Sequence, residues 1–179
     1  MRVISWERER QMDRIKKILA PTDLSEFSGA GVGYALDLAR ALGAEVTAYH
    51  VVSHEELAQL EGELEPVKVA DAALWQANRL LKSYQLALAR FLNRHFSDLI
   101  PWVRIREKVE LGVPDKNIVE WARREGSDLI VISIRAGERS SPAPLRGLAE
   151  EIVRQAPCPV LSVQSGAIVR ASRKAAAVA

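Results

Sequence analysis

The side chains best suited to chemistry in this chain stand just after two apolar runs, where buried strands would end. Asp23 follows the first run directly, and Arg135, Arg139 and Arg146 crowd the loop after the second. Together the three guanidinium groups can hold an anion through paired hydrogen bonds. The alternative is that a loop this charged is simply solvated, as surface loops usually are. Asp23 likewise has a role that needs no ligand, because aspartate often caps the turn into a helix.

No other constellation in the sequence points to catalysis or to a metal. His50, His54 and His95 fall in different predicted elements, without a cysteine cluster or regularly spaced carboxylates, so no metal site is predicted. Cys158, the one cysteine, stands between two prolines and is expected to pack as a small buried residue rather than to act as a nucleophile. No G-x-S-x-G, P-loop or G-x-G-x-x-G motif follows a strand, so hydrolase, kinase and dinucleotide-binding functions lack their signatures.

The composition is that of one globular domain. The chain has 179 residues, of which 48% are hydrophobic and 27% charged, and this is enough to bury a core without staples. A net charge of +2 is too small to predict a nucleic-acid binder. The N-terminus mixes both charge signs, so no signal peptide is predicted, and no run approaches the ~18 apolar residues of a membrane span. With a single cysteine, the expected location is the cytoplasm.

Apolar runs and helical periodicity alternate along the chain. Five strands are predicted, at 17–22, 45–52, 102–111, 128–133 and 160–163, and the third alternates charged with apolar residues as a strand near a sheet edge would. The predicted helices run from about Ser28 to Gly43, over 70–96, from Pro114 to Gly126, and over 145–156. Residues 53–69 are rich in glutamate without firm periodicity and are predicted as a solvated loop. This order predicts an α/β fold with parallel strands, right-handed crossovers and helices on both sheet faces.

Helical spacing also predicts which residues face the core. The last helix carries its apolar stripe at Leu145, Leu148, Ala149, Ile152, Val153 and Ala156. The 70–96 helix carries Leu74, Leu81, Tyr84, Leu88 and Phe91 at near-heptad spacing, and the helix after Pro114 carries Ile118, Val119 and Ala122. Trp75 and Trp121 fall on amphipathic helices and are predicted to be packing residues.

Five motifs occur in order at a spacing that resembles the universal stress proteins. They are ILAPTDLSE at 18–26, YHVV at 49–52, LGVP at 111–114, GSDLIVIS at 126–133 and AEEIVRQAPCPVLSV at 149–163. The resemblance covers residues 17–163 as one domain, with an N-terminal extension (1–16) and a C-terminal tail (164–179) outside it. It implies a doubly wound, open five-stranded parallel sheet of order 3-2-1-4-5. Such sheets bind ligands outside the carboxyl ends of the strands at the switch point, here between the first and fourth strands.

The resemblance also implies a nucleotide pocket, from which this sequence departs. In nucleotide-binding members the residue matching Asp23 contacts the adenine–ribose part, and those matching Pro21 and Val51 line the pocket. ATP-binding members carry three glycines and then Ser or Thr after the fourth strand, because glycine lets backbone N–H groups approach phosphate oxygens. At those four positions this chain has Ser133, Ala136, Arg146 and Gly147. Family-style ATP binding is therefore predicted to be lost.

Three functions are weighed on this basis. The first is a stress protein that acts by binding or regulation, without catalysis and with no firmly predicted cofactor. The second is an ATP or AMP sensor with a remodelled phosphate loop, whose candidate residues are Pro21, Thr22, Asp23, Val51, Ser133, Arg135, Ala136, Arg146 and Gly147. The third, an adenylating or nucleotide-hydrolysing enzyme on a related fold, needs a glycine-rich motif after the first strand, where Asp23-Leu24-Ser25-Glu26 stands instead.

The last predicted strand points to a second copy of the chain. Val160, Leu161, Ser162 and Val163 would form an uncharged, largely apolar strand at the sheet edge. An edge of that kind recruits another strand. Universal stress proteins commonly dimerise by pairing this strand with its two-fold mate, so the resemblance implies a homodimer. The alternative is that the C-terminal tail folds back over the edge.

Overall fold

Five strands form one sheet in the computed structural model of the chain, which describes residues 15–61, 72–134 and 144–164. Side chains are described in the same ranges except at 58–61, 72–76 and 144–146. The strands are β1 (Lys17–Pro21), β2 (Glu45–Val52), β3 (Arg104–Leu111), β4 (Leu129–Ile134) and β5 (Val160–Gln164). They are all parallel and lie in the order β3-β2-β1-β4-β5. The doubly wound fold class and its strand order are confirmed.

Helices cover both faces of the sheet. They are α1 (Glu26–Leu42), α2 (His54–Glu61), α3 (Ala72–Phe96), α4 (Pro114–Glu125) and α5 (Pro144–Gln155). Side chains of α1 and α3 pack on one face, and those of α4 and α5 pack on the other. A 3-10 turn at Ile100–Trp102 precedes β3, so this strand begins at Arg104 and not at residue 102 as predicted.

The central strands are apolar on both sides because both sides are covered. In β1, Ile18 and Ala20 belong to the core beneath α1 and α3, and Leu19 between them belongs to the core beneath α4 and α5. β2 alternates in the same way, with Ala48 on the first side and Tyr49 on the second. β3 lies at one edge of the sheet and leaves most of its charged residues exposed or half-buried, as its sequence pattern predicts.

The helix ends follow local capping chemistry. Gly43 and Gly126 end α1 and α4 in the left-handed conformation, with φ of 64° and 65°, as predicted. At the other end of α1, the Ser25 hydroxyl accepts a hydrogen bond from the Ser28 amide. Because Ser25 is the cap, α1 begins at Glu26, two residues before the predicted start.

The prediction of a loop over 53–69 is wrong for its first half, where α2 forms. The Ser53 hydroxyl accepts a hydrogen bond from the Glu56 amide at 3.2 Å, and a Glu56 carboxylate oxygen accepts one from the Ser53 amide at 2.7 Å. This reciprocal pair is a capping box, whose Ser-x-x-Glu signature is present in the sequence at 53–56. Glu55 and Glu56 in the first turn also suit the positive end of the helix dipole. Residues 62–71 lie outside the described part of the chain.

The core faces of the later helices differ in how well they match the periodic pattern. Leu88 and Phe91 of α3 are buried, as predicted, and Leu81 and Tyr84 are partly buried against the same core. In α4 the predicted inward residues Ile118, Val119 and Ala122 are buried, together with Trp121. The side chains of Leu74, Trp75 and Leu145 lie outside those that the structure describes.

The apolar stripe of α5 is only partly turned inward. Ile152 is 1% exposed and lies in the core, but Leu148 and Val153 are 43% and 59% exposed. The expectation that the whole stripe faces the core is therefore wrong for these two residues. The helix carries more apolar positions than the side that meets the sheet buries. The helix that leads into edge strand β5 thus presents apolar side chains at the surface.

α1 approaches β4 closely at Gly31. The Gly31 amide donates a hydrogen bond to Ser133 Oγ at 2.7 Å, and Ser133 Oγ donates to the Ser28 carbonyl at 3.1 Å. A Cβ at position 31 would lie 2.7 Å from Ser133 Oγ and 3.0 Å from the Ser133 amide nitrogen. Only glycine therefore allows the helix to sit this near the end of β4.

We predict that Gly31→Ala destabilises the fold by about 1–3 kcal/mol, because the added methyl group forces α1 away from β4. Urea unfolding followed by far-UV circular dichroism measures this loss. Gly147→Ala is the matched control, since no atom of the described residues lies within 4 Å of a Cβ added to this helical glycine and alanine favours helix. Equal unfolding midpoints for Gly31→Ala and the unmodified protein would show that the close contact is not needed.

Candidate functional site

A cavity of about 710 Å³ opens at the carboxyl ends of β1, β2 and β4, where the order of the strands reverses. The sequence-predicted residues that line it are Pro21, Thr22, Asp23, Val51, Ser133 and Gly147. Arg135 and Ala136 lie outside the described residues, and Arg146 lies in α5 with its side chain not described. The structure brings six of the nine candidates to one cavity, and their contact with a nucleotide stays a prediction.

Asp23 forms the turn that leads from β1 into α1. Its Oδ1 accepts hydrogen bonds from the Ser25 amide at 3.0 Å and the Ser25 hydroxyl at 2.5 Å. Burial alone would raise the pKa of the Asp23 carboxyl, but hydrogen bonds from Ser25 and Ser28 hold this pKa below its ordinary value. Asp23 therefore stabilises the turn into α1, a role that needs no ligand, while Ser25 caps the helix itself. The ribose contact stays a prediction.

The same turn holds a residue in a strained backbone conformation. Leu24 has a φ of +63°, and it is the one non-glycine residue with positive φ in the described part of the chain. Thr22 Oγ1 accepts a hydrogen bond from the Leu24 amide at 3.0 Å and lies 2.7 Å from Ser28 Oγ. Strain of this kind persists only where the surroundings fix it, and it is common at binding sites. The turn is a preformed wall of the cavity.

Ser133 lines the cavity but directs its hydroxyl to α1. Its Oγ accepts a hydrogen bond from the Gly31 amide and donates its proton to the Ser28 carbonyl oxygen. By the family resemblance, Ser133 occupies the position of the first glycine of the phosphate loop, and this assignment stays a prediction. The structure shows that the Ser133 side chain joins β4 to α1.

An aromatic pair lies beneath α4, and one of its members, Tyr49, lines the cavity. Tyr49 stacks on Trp121 with ring centroids 5.1 Å apart, and the Arg124 guanidinium lies 4.7 Å from the Trp121 ring. The Tyr49 hydroxyl donates a hydrogen bond to Glu110 at 2.7 Å. Burial, and then the Glu110 carboxylate, raise the pKa of Tyr49 well above its ordinary value, so this hydroxyl stays protonated. Trp121 is buried, in keeping with its predicted packing role.

His50 is a cavity residue whose importance the sequence did not reveal. It is 2% exposed, its ring stacks on Tyr84 with centroids 4.9 Å apart, and Nδ1 lies 2.9 Å from the Thr22 carbonyl oxygen. Nε2 is buried without a hydrogen-bond partner, and no other buried side-chain nitrogen or oxygen of the described residues is in that state. The partners that hold the ring are distant in sequence, so no local motif marks it.

Carboxylates surround the mouth of the cavity. Asp23, Glu55, Glu56 and Asp115 all line it, and none of the described lining residues is lysine or arginine. The two glutamates come from α2, the helix that sequence periodicity missed, and Asp115 comes from the first turn of α4. The described lining is therefore rich in hydrogen-bond acceptors and negative in charge.

Two further observations bear on what the site contains. Among the described residues, no three histidine, cysteine, aspartate or glutamate side chains are grouped so that they could hold a metal ion. In the same part of the chain, no helix combines the length and hydropathy needed to cross a membrane.

Cys158 lies away from the cavity lining and packs against the core beneath α4 and α5. Burial, and then the Asp128 carboxylate, raise the pKa of its thiol to about 11. The thiol is therefore protonated at neutral pH, and a protonated thiol is a poor nucleophile. This agrees with the packing role predicted for Cys158.

β5 lies at the second edge of the sheet, and within the described residues it pairs with β4 alone. Val160 and Leu161 are half-buried, Ser162 is exposed and Val163 is 7% exposed. The edge position predicted for this strand is confirmed, and its pairing with a second copy stays a prediction.

We predict that Asp23→Asn lowers the free energy of unfolding at pH 7 and that the deficit disappears in acid. Because the folded-state pKa of Asp23 lies below the unfolded value, the carboxylate contributes stability above the unfolded pKa of about 3.9. That contribution is lost as the pH falls through the folded pKa. Urea unfolding of both proteins at pH 7, 5 and 3 measures the convergence, and a pH-independent difference would contradict it.

Comparison with known proteins finds relatives over most of the chain. Universal stress protein MJ0531 of Methanocaldococcus jannaschii is 28% identical over 149 residues, which cover 83% of this chain and 82% of the relative. The structure of universal stress protein UspA from Lactobacillus plantarum superposes with a TM-score of 0.61 at 20% identity, covering 84% of this chain and 98% of that one. A universal stress protein in complex with cAMP superposes with a TM-score of 0.59 at 21% identity, covering 83% and 96%. At these identities, the two structures share the fold.

The family profile gives the decisive match. The profile of the universal stress protein family matches residues 14–164, a span that contains every strand and helix described above. The same span contains the five motifs and the cavity at the switch point. The chain belongs to the universal stress protein family.

Proposed function

We propose that this universal stress protein acts by binding and regulation, as a homodimer and without catalysis, and that ATP binding in the family manner is lost. The observation that carries the proposal is the state of Ser133, whose hydroxyl ties β4 to α1 at the position that the family resemblance assigns to the first glycine of the phosphate loop. Four cavity-lining carboxylates support it, because they oppose a triphosphate electrostatically.

The absence of catalysis is supported by the hydroxyl groups around the cavity. Thr22 and Ser28 bond to each other, Ser133 bonds to α1, and Ser53 caps α2. No hydroxyl or thiol of the described residues is hydrogen-bonded to His50, as a nucleophile and its base would be. The described hydroxyl and thiol groups therefore do not form a nucleophile–base pair with His50.

Homodimer formation is supported by the apolar character of the β5 edge. Val160 and Leu161 remain half-buried in the single chain, and Leu148 and Val153 of the preceding helix are exposed. A second copy that pairs with β5 would satisfy the edge backbone groups. We further propose a cytoplasmic location, since a chain with one cysteine cannot form an internal disulfide and suits a reducing compartment.

A nucleotide sensor is the second candidate, favoured by the cavity itself. Its position at the switch point and its volume of about 710 Å³ suit a nucleotide, and a relative of the same fold has been solved with cAMP. Under this alternative, Arg135 and Arg146 would replace the missing glycines as phosphate ligands.

We predict that purified protein carries far less than one nucleotide per chain. Acid extraction followed by ion-exchange chromatography measures the bound nucleotide, and calorimetric titration with ATP then tests the emptied protein. The expected result is no saturable ATP binding in the micromolar range. Stoichiometric recovery of ATP, ADP or AMP would overturn the proposal and favour the sensor.

We predict a solution mass of twice the chain mass of 19.8 kDa, and a return to the single-chain mass in Leu161→Lys. Light scattering after gel filtration measures both, and circular dichroism shows whether the variant is folded. Leu86→Lys, at an exposed position on α3, is the control and should leave the dimer intact. A folded Leu161→Lys variant that keeps the dimer mass would rule out β5 as the interface.

A further inference from the structure

The outer face of α3 is a strip of positive charge. The helix has 25 residues and contains no aspartate or glutamate, although the net charge of the whole chain is only +2. Its lysine and arginine residues are Arg79, Lys82, Arg90 and Arg94, and all four are exposed. Leu86, in the middle of this series, is 59% exposed. We call these five residues the α3 strip.

Helical geometry places the α3 strip on one side of the helix. At 3.6 residues per turn its members lie within about 120° of one another, and the strip is ~22 Å long. Leu88 and Phe91, on the other side of the helix, are buried in the core, so the strip points away from the domain. Lys82 and Arg90 each lie about one turn, ~6 Å along the axis, from Leu86. The strip is thus an apolar side chain with cations on both sides.

Carboxylates neutralise other surface cations of the chain more fully than those of the α3 strip. Arg106 on β3 and Arg124 on α4 each form ion pairs with two glutamates. Lys82, Arg90 and Arg94 take part in none of the ion pairs among the described residues. An anionic partner that contacts these three residues would therefore not have to displace a described carboxylate.

The α3 strip suits some anionic partners better than others. An interfacial helix inserts a broad apolar face into the membrane, but the apolar face of α3 is packed in the core and Leu86 is the one apolar member of the strip. A nucleic acid backbone would use the cations without covering Leu86. A second copy of the chain would bring like charges together. An acidic protein segment with an apolar residue matches both the charge and the leucine.

The spacing of the α3 strip also indicates the form of that segment. In a helix, carboxylates that lie four residues before and after an apolar residue repeat the ~6 Å interval between Leu86 and its neighbouring cations. Two helices that cross at a small angle can keep such an interval in register over several turns.

We propose that the α3 strip binds an acidic helical segment of another protein, with an apolar side chain of that segment packed on Leu86 and its carboxylates paired with the flanking cations. This inference rests on the proposed regulatory function, because a regulator acts through a partner, and it adds the chemistry of that partner. The α3 strip does not include the cavity or the β5 edge.

A synthetic peptide is the probe for the partner class. It is an alanine-rich helix of about 20 residues, long enough to cover the strip, with a central leucine and glutamates one and two turns away on both sides. Fluorescence anisotropy of the labelled peptide with the full chain should show saturable binding at low salt. The same peptide with glutamine for glutamate should bind at least about tenfold more weakly, and salt at ~0.5 M should weaken the acidic peptide several-fold. Equal affinity of the two peptides would overturn the inference.

Charge removal on the α3 strip tests where the peptide binds. Lys82→Gln with Arg90→Gln should lower the affinity for the acidic peptide about three- to tenfold, because two ion pairs are lost. Lys116→Gln with Arg123→Gln is the matched control, since it removes the same charge from exposed positions of α4 and should leave the affinity nearly unchanged. Equal losses in the two double variants would show attraction to net charge alone and would contradict a site on α3.

Leu86 has its own test. Leu86→Ala keeps a residue that favours helix and removes the apolar contact, so peptide affinity should fall about three- to tenfold while thermal stability changes little. Gln85→Ala, at the neighbouring exposed position outside the α3 strip, is the control and should change neither. An unchanged affinity in Leu86→Ala would contradict the packing of the partner on this residue.

The chain itself contains a competing acidic segment. Glu63 and Glu65 lie between α2 and α3, outside the described residues. We expect Glu63→Gln with Glu65→Gln to change the peptide affinity by no more than about twofold. A rise of about tenfold or more would show that the chain's own segment occupies the α3 strip, because a tethered competitor acts at high effective concentration. That result would contradict an external partner.

Vesicles that contain phosphatidylserine and a single-stranded thymidine oligonucleotide are the other anionic probes. We expect the acidic peptide to be the one probe whose affinity depends on both Leu86 and the strip cations. Binding of vesicles or oligonucleotide that is lost in Lys82→Gln with Arg90→Gln, without any binding of the peptide, would assign the α3 strip to that class and overturn the inference.

The same preparation separates this inference from the proposed function. Its nucleotide content and solution mass are measured before the peptide titration. Failure of the acidic peptide to bind a folded, nucleotide-free dimer would overturn this inference alone. Stoichiometric nucleotide would overturn the proposed function whether or not the peptide binds.

Discussion

The contact of α1 with the ends of β1 and β4 positions the residues around the cavity. At Gly31 the helix comes within hydrogen-bond distance of Ser133 on β4, and at Ser28 it bonds to Thr22 just beyond β1. These bonds span the point at which the strand order reverses, which is where doubly wound sheets leave a crevice for ligands. They hold the Asp23 turn in place and with it the strained conformation of Leu24.

The same contact connects the fold to the proposed loss of ATP binding. The Ser133 side chain, which joins β4 to α1, occupies a position where glycine would leave the backbone accessible to phosphate oxygens. The described lining of the remaining crevice combines apolar side chains with the carboxylates of Asp23, Glu55, Glu56 and Asp115.

Much of this architecture could be predicted from the sequence because its causes are local. The apolar runs of the central strands and the glycine stops at Gly43 and Gly126 depend on nearby residues, and the structure confirms them. The start of α2 also depends on nearby residues, namely the Ser53–Glu56 capping box. The sequence does not reveal this helix because the glutamate-rich segment that contains the box lacks helical periodicity. The sequence overestimates how many apolar residues of α5 face the core. Helical periodicity identifies the apolar positions but does not show how many of them the sheet can cover.

The site was less predictable because its important contacts join distant parts of the chain. Asp23 could be placed from a motif. The hydrogen bonds of Ser133, however, join it to Gly31 and Ser28, which lie 102 and 105 positions earlier in the chain. No sequence motif distinguishes His50 from an ordinary strand residue, and its state follows from a carbonyl 28 positions earlier and from the lack of a partner for Nε2 among the described residues. Nitrogen-15 NMR of the histidine side chains tests this state. The structure predicts that Nδ1, which faces the Thr22 carbonyl oxygen, carries a proton. An Nδ1 resonance without a bonded proton would contradict it.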